Sequence, residues 1–339
     1  MSEAHKSHSY YIAGQQIWKV VPPIFIILGT LGNILSIVVL NRKNLRRTTT
    51  SFYLTVLAIS DIMILYSGLL RQWILAMYQI DIRHSNPFMC KVNFFSVYFF
   101  ADLTGWILVA VTLERVFLVW HPHSGKRYCS RASAAVVCTI IVVSLVAFNG
   151  HILYGMGEKT VTENNDTVIK RCTRRDSQYE QFFFRTWPWI DMTKYCIAPF
   201  LLLLIGNSLI IAKILYNRRK LRMRIGTETG PSKATQKKTS SMTALLFTLN
   251  AVYLTTSTPI SVYLLKFDGW ADPGDTHGMA LASLLWALSN ILMYANNTFN
   301  FVLYCLSGQN FRNEVKTLFC KKKHQVQGTT MMTLTERVD

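Results

Sequence analysis

Seven stretches of about 20 or more mostly apolar residues recur along the chain, near residues 20–40, 52–75, 92–119, 133–154, 187–216, 242–265 and 280–305. Each is long enough to cross a hydrocarbon layer roughly 30 Å thick as a helix. Backbone polar groups in lipid must pair within their own segment, so the expected fold is an all-α membrane protein, a bundle of seven transmembrane helices. The stretches occupy most of the 339 residues, half of which are hydrophobic and only 16% charged. That excludes a secreted enzyme or a nucleic-acid-binding domain and leaves no room for a second soluble domain. The expected division is an extracellular segment over 1–19, the seven-span domain over 20–305, and a cytoplasmic tail over 306–339 that opens with a short amphipathic helix. The first 19 residues are polar, with no apolar core before a small-residue cleavage site, so no cleavable signal peptide is expected.

The formal charge of +18 is unevenly placed. Arg42, Lys43, Arg46 and Arg47 fill the first connection, and Arg115, Lys126, Arg127 and Arg131 lie at the next one on the same side. The fifth connection, from Lys213 to Lys238, and the tail with Lys321, Lys322 and Lys323 continue the pattern, and this side carries the whole surplus. The positive-inside rule makes it cytoplasmic and puts the amino terminus outside. The charge thus reads as topology and attraction to anionic membrane lipid, with no nucleic-acid partner.

Of the seven cysteines, only Cys90 and Cys172 fall on the outer side away from lipid. A bridge between them would tie the long outer connection between the fourth and fifth stretches over the bundle; two free thiols are the alternative. Asn165-Asp166-Thr167 is a glycosylation acceptor on the same side, whereas Asn296-Asn297-Thr298 lies within the seventh stretch, beyond the transferase's reach. Cys320, beside three lysines at the end of the amphipathic 311–319 stretch, is a candidate for palmitate at the inner surface, or a plain thiol.

Asp61 stands midway along the second stretch, where a lipid-facing carboxylate would cost a few kcal/mol. It must face the bundle interior, at a depth shared with Asn33, Thr104, Asn296, Asn297 and Asn300. Two readings stay open: a hydrogen-bond network that only joins helices, or a small polar cavity that holds a sodium ion or a proton. No other cofactor is expected. Glu114-Arg115 closes the third stretch at the cytoplasmic side, where the two can pair or where the guanidinium can snorkel. Pro199 and Pro259 each remove a backbone hydrogen bond and bend the fifth and sixth stretches.

In order, these residues resemble the rhodopsin-like G-protein-coupled receptors over about residues 20–320. The family's span-one Gly-Asn appears as Gly32-Asn33, its span-two motif as Leu57-Ala58-Ile59-Ser60-Asp61, and its span-three Cys and Arg as Cys90 and Arg115. Its proline positions match Pro199 and Pro259, and its span-seven motif reads Asn300-Phe301-Val302-Leu303-Tyr304. There are departures. Phe301 replaces a proline, Val116 a tyrosine, and Thr256-Ser257-Thr258-Pro259 lacks the family's tryptophan. Where some members place an acid to hold the Arg, this chain has Lys237, Lys238 and Thr239, so restraint would rest on Glu114, and appreciable basal activity is expected.

The resemblance implies a plasma-membrane receptor that binds an extracellular ligand and activates a heterotrimeric G protein through Glu114, Arg115, Pro259, Asn300 and Tyr304, without catalytic chemistry. Tyr294 replaces the retinal lysine of opsins, and Val97 the aspartate of amine receptors. The outer rim expected to bind ligand comprises Arg71, Lys91, Phe94, Val97, Tyr98, Trp189, Tyr263 and Trp286, with Trp73, Trp187 and Asp191 beside them. Aromatics suit a peptide's side chains and the basic pair suits a carbonyl or carboxylate. The general pattern is similar to invertebrate neuropeptide receptors of the FMRFamide and myoinhibitory-peptide kind. A receptor for a small anionic metabolite or chemosensory cue is the rival if Arg71 and Lys91 converge, and a transporter or channel the rival of another class, although the chain's halves show no similarity.

Overall fold

The computed structural model describes residues 8–163, 166–223, 233–270 and 275–319. Among the described residues, seven helices are long and apolar enough to cross a membrane: Ser9–Leu40, Thr49–Tyr78, Pro87–Trp120, Arg131–Gly155, Ser177–Asn217, Leu245–Leu265 and Thr276–Leu306. They are called spans one to seven below. Local chemistry sets their starts. Asn86 accepts from the Met89 N–H at 2.8 Å with Pro87 in the first turn, Asp176 accepts from Tyr179 N–H at 2.8 Å, and Ser130 and Ser133 cap span four reciprocally. Span two stops at Gln79, whose left-handed φ of 59° closes the helix.

Span one begins at Ser9, well before its apolar stretch, because Tyr11, Gln15 and Trp18 turn inward. It packs along span seven at small residues: a Cβ on Gly29 would stand 3.3 Å from the Thr298 Cα, and one on Gly32 3.1 Å from the Phe301 Cβ. The outer connection between spans four and five is not helical. It is an antiparallel ribbon of β1, Met156–Glu163, and β2, Asp166–Arg174, with Met156 opposite Arg174. A disulfide joins Cys172 in β2 to Cys90 at the head of span three. Asn165, the sugar acceptor, lies outside the described residues, as does Cys320.

After span seven, the helix Gln309–Phe319 runs along the inner face. Arg312 donates to the last free carbonyls of span seven, Cys305 O at 2.9 Å and Leu306 O at 2.6 Å, and Glu314 receives Arg42 at 3.0 Å and Asn44 at 2.6 Å.

Span five holds the largest irregularity. Wide π-turns occur at Phe182–Thr186 and Thr193–Ile197, the second just before Pro199. Pro199 has no N–H, so the carbonyls one turn earlier lose their partner. Other spans supply it: Tyr253 Oη donates to Tyr195 O at 2.7 Å, and Trp106 Nε1 donates to Lys194 O at 3.2 Å. Tyr253 fits because Gly105 has no side chain; a Cβ there would lie 2.3 Å from its oxygen. Replacing Tyr253 by Phe should therefore lower the stability of the purified receptor by about 0.5–1.5 kcal/mol. The same change in a Pro199→Ala background should cost less, since an N–H is then available to the carbonyl. Equal melting shifts in both backgrounds would show that the hydroxyl is not serving the proline.

Candidate functional site

A cavity of about 630 Å³ opens at the outer end of the bundle. Trp18 of span one, Gln72 of span two, Tyr98 of span three, Trp187 and Asp191 of span five, Tyr263 of span six and Trp286 of span seven all line it, and Arg174 reaches it from β2. Tyr263 and Trp286 pack with ring centroids 5.4 Å apart, as do Tyr98 and Trp187 at 5.7 Å. The Cys90–Cys172 bridge fixes β2, and with it Arg174, over this opening.

Of the expected rim residues, Tyr98, Tyr263 and Trp286 face the cavity, with Trp187 and Asp191. Five others do not. Arg71 turns away into a two-pronged bond with Asp81, Nε to Oδ1 at 3.1 Å and Nη2 to Oδ2 at 2.9 Å. Lys91 lies beside Gly157 of β1. Phe94 sits under the Arg83 guanidinium, 4.6 Å from its ring centre, and packs near the disulfide. Val97 packs in the apolar cluster around Tyr294. Trp189, two residues from Trp187 and so on the other side of the helix, is 63% exposed. Trp73 is spent on a carbonyl, donating to Lys19 O at 3.2 Å, four residues before Pro23. Arg71 and Lys91 therefore do not converge. Among the described residues the cationic group at the cavity is Arg174, which sequence reasoning passed over because nothing in the chain shows which way a loop strand faces.

Asp61 is fully buried, and the expected neighbours gather around it. Asn297 Nδ2 donates to Oδ1 at 2.8 Å, Asn300 Nδ2 to Oδ2 at 2.6 Å, and Thr104 Oγ1 reaches Oδ1 at 3.5 Å. Asn33 donates to Asn297 O at 2.9 Å, and its own Oδ1 is buried without a partner. Asn296 is buried but makes no hydrogen bond to Asp61 among the described residues.

At the inner end, Glu114 and Arg115 do not pair with each other among the described residues. Thr49 Oγ1 donates to the Glu114 carboxylate, and Arg115 Nη2 donates to the Thr50 hydroxyl. The first turn of span two thus takes both charges, leaving Arg115 Nε buried without a partner. Tyr304 packs against Phe311 of the surface helix at 5.4 Å. Closer to the middle, Asn250 of span six donates to Thr112 Oγ1 of span three at 3.1 Å and to Asn207 Oδ1 of span five at 3.3 Å. Sequence reasoning missed Asn250, although an amide inside an apolar stretch is itself the signal.

Seven spans in this order, an outer disulfide over an aromatic cavity and a guanidinium at the inner end of span three are the architecture of a seven-helix signalling receptor. The model of the 7 transmembrane receptor (rhodopsin family) matches residues 32–304, and the chain belongs to that family of G-protein-coupled receptors, set in the plasma membrane with its amino terminus outside. It is 23% identical to the FMRFamide receptor of Drosophila melanogaster over 88% of this chain, spanning 52% of that receptor's length. It is 24% identical to neuromedin-U receptor 2 of Mus musculus, covering 91% of this chain and 78% of the relative, and 24% identical to C-C chemokine receptor type 3 of Macaca fascicularis, covering 90% and 81%.

Asp81, just beyond span two, clamps the outer surface by taking Arg83 Nη2 at 2.6 Å as well as Arg71. Burial pushes its carboxyl up, but the hydrogen bonds and charges of the two guanidinia outweigh that and hold it well below the usual carboxylate range. A depressed carboxylate stabilises the fold above its unfolded value of about 3.9, and the contribution fades as the pH falls through that value and below. Asp81→Asn should therefore lower the melting temperature at about pH 7, whereas acidifying the wild type to about pH 5 leaves this contribution intact. A variant as stable as the wild type at neutral pH would contradict the clamp.

Proposed function

We propose that the chain is a receptor for a short extracellular peptide, which it converts into activation of a heterotrimeric G protein. The observation that supports this reading best is the outer cavity. It is open to the outside, lined by six spans of which five contribute aromatic side chains, and carries opposite charges in Arg174 and Asp191. Rigid aromatic surface with a few polar anchors is how extended, chemically mixed ligands are held. The FMRFamide and neuromedin-U receptors among the relatives bear the names of peptides. A small anionic metabolite is less well served, since Arg71 is spent on Asp81.

In this reading peptide binding favours an arrangement in which span six pivots about Pro259, Arg115 leaves Thr50, and the inner cleft near Tyr304 and Asn300 opens to the G protein. A single hydroxyl is a weaker restraint on a guanidinium than a carboxylate, so the resting receptor signals without ligand. The test of the class is a panel of amidated neuropeptides applied to cells co-expressing the chain with a promiscuous G protein. A response confined to one peptide family supports the reading; uptake or current in reconstituted vesicles without any G protein overturns it. Thr50→Val should raise ligand-free signalling about tenfold by removing one charge-assisted hydrogen bond; no basal signal in either form would exclude a Thr50 restraint.

Asp61, Thr104, Asn33, Asn296, Asn297 and Asn300 are the side chains that would hold a sodium ion. The orphaned Asn33 oxygen and the lone carboxylate suit a hard cation with oxygen ligands. Such an ion supplies a positive charge that stabilises one helix arrangement. Replacing sodium by choline should lower the melting temperature of the wild type and leave Asp61→Asn unchanged; a sodium effect of equal size in both would remove the site.

A further inference from the structure

Asp191 lines the outer cavity and also belongs to a buried charge cluster that the family comparison does not account for. Its Oδ1 accepts from Lys194 Nζ at 2.9 Å. The same ammonium donates to Asp102 Oδ2 and reaches Asn149 Oδ1 at 3.4 Å, while Asn149 Nδ2 donates to that Asp102 oxygen at 2.8 Å. All three protons of Lys194 are thereby used. The four side chains come from spans three, four and five, every one is buried, and the Trp187 ring covers the ammonium at 5.2 Å.

With both acids ionised, the count of charges among the described residues does not close: two carboxylates share one ammonium. The other charged or titratable groups nearby leave the deficit in place. Arg174 lies over Phe183 and Phe184, at 4.9 and 4.3 Å, and makes no ion pair with Asp191 among the described residues. His151 packs against Trp187 and bonds Tyr179 through Nδ1, away from the carboxylates. Asp102 is enclosed and takes two donors, whereas Asp191 takes one, and its Oδ2 accepts no hydrogen bond among the described residues. The surplus negative charge is thus presented at the cavity wall, on the one member of the cluster that lines it.

We propose that Asp191 receives a cationic group of the ligand, an ammonium or guanidinium from a basic side chain or free amino terminus, which completes the charge of the Asp102–Lys194–Asp191 cluster. This rests on the peptide-receptor reading and narrows its ligand class. A buried uncompensated charge is expensive, and a cation arriving with its own hydrogen bonds removes that cost without displacing Lys194 from Oδ1. A carboxylate at the same place would face two acids and is rejected. The arrival is also felt in span five, because Lys194 and Tyr195 occupy the wide turn whose carbonyls are held by Trp106 and Tyr253.

The test uses N-acetyl-arginine amide as probe and its uncharged isostere N-acetyl-citrulline amide as control, each added to the purified full-length receptor during thermal melting. The arginine probe should raise the melting temperature of the wild type in a concentration-dependent way and the citrulline probe should not. The effect should vanish in Asp191→Asn and persist in Asp191→Glu, which keeps the charge and shows that the site is folded. Equal effects of the two probes, no effect of either, or an arginine effect that survives Asp191→Asn would overturn the assignment. Peptides found active in the panel should lose about 10- to 100-fold in potency in Asp191→Asn, or when their basic residues become citrulline. Active peptides indifferent to both changes would remove the Asp191 role while leaving the peptide receptor; arginine stabilisation with no active peptide would do the reverse.

Discussion

No polar group in the middle of a bilayer can fall back on water, and much of this structure follows from that requirement. It is clearest where prolines break the helices. Each proline frees a carbonyl, and at Pro23 and Pro199 the freed oxygens are taken by side chains of other spans: Trp73 on Lys19 O, Tyr253 on Tyr195 O, and Trp106 on Lys194 O. A bend that looks like a local defect therefore becomes an interhelical tie. The tie also explains nearby sequence choices, such as glycine at 105, where any side chain would collide with the Tyr253 oxygen.

The same requirement acts on charge. Asp61 is covered by two asparagine amides, and Asp102 by Lys194 and Asn149. The two solutions differ in kind. Around Asp61 neutral donors take one bond on each oxygen of a single carboxylate, and no positive side chain pairs with it among the described residues. Around Lys194 the protein supplies one positive charge for two negative ones and leaves the remainder facing the cavity. With their acids ionised, both clusters are left with one negative charge that no described side chain balances, and they differ in where it lies: within the bundle at Asp61, and at the wall of the ligand cavity at Asp191.

The span count, the orientation, the disulfide and the Asp61 cluster were all legible in the sequence, because each follows from hydropathy, charge side or depth. Pocket membership was not. Trp187 and Trp189 are indistinguishable by composition, and only the local helix phase sends one inward and the other 63% exposed. Two π-turns in span five shift that phase, and no propensity scale reports them. The polar start of span one hid Tyr11, Gln15 and Trp18, which line the cavity from a segment that reads as an extracellular tail. Lys194 is the instructive miss. It lies within an apolar stretch that also holds Asp191, and Asp102 lies in another; charges at such depth seek opposite partners, so the pairing was open to inference.

These ties also bear on how the bundle can move. Tyr253 and Asn250 both precede Pro259, so an inner half of span six that pivots at that proline must carry them along. Tyr253 then leaves Tyr195 O, and Asn250 leaves Thr112 and Asn207. Apolar contacts along the same seam can slide gradually, but a hydrogen bond half-broken in lipid has nothing to replace it, so intermediate positions are costly. The displacement is therefore an exchange between two discrete sets of partners. Thr112 sits less than a turn before Arg115 on span three, so the group that anchors span six and the guanidinium that faces the cytoplasm share one segment of helix. A ligand that alters the wide turn of span five acts on one end of this exchange, and Arg115 lies at the other.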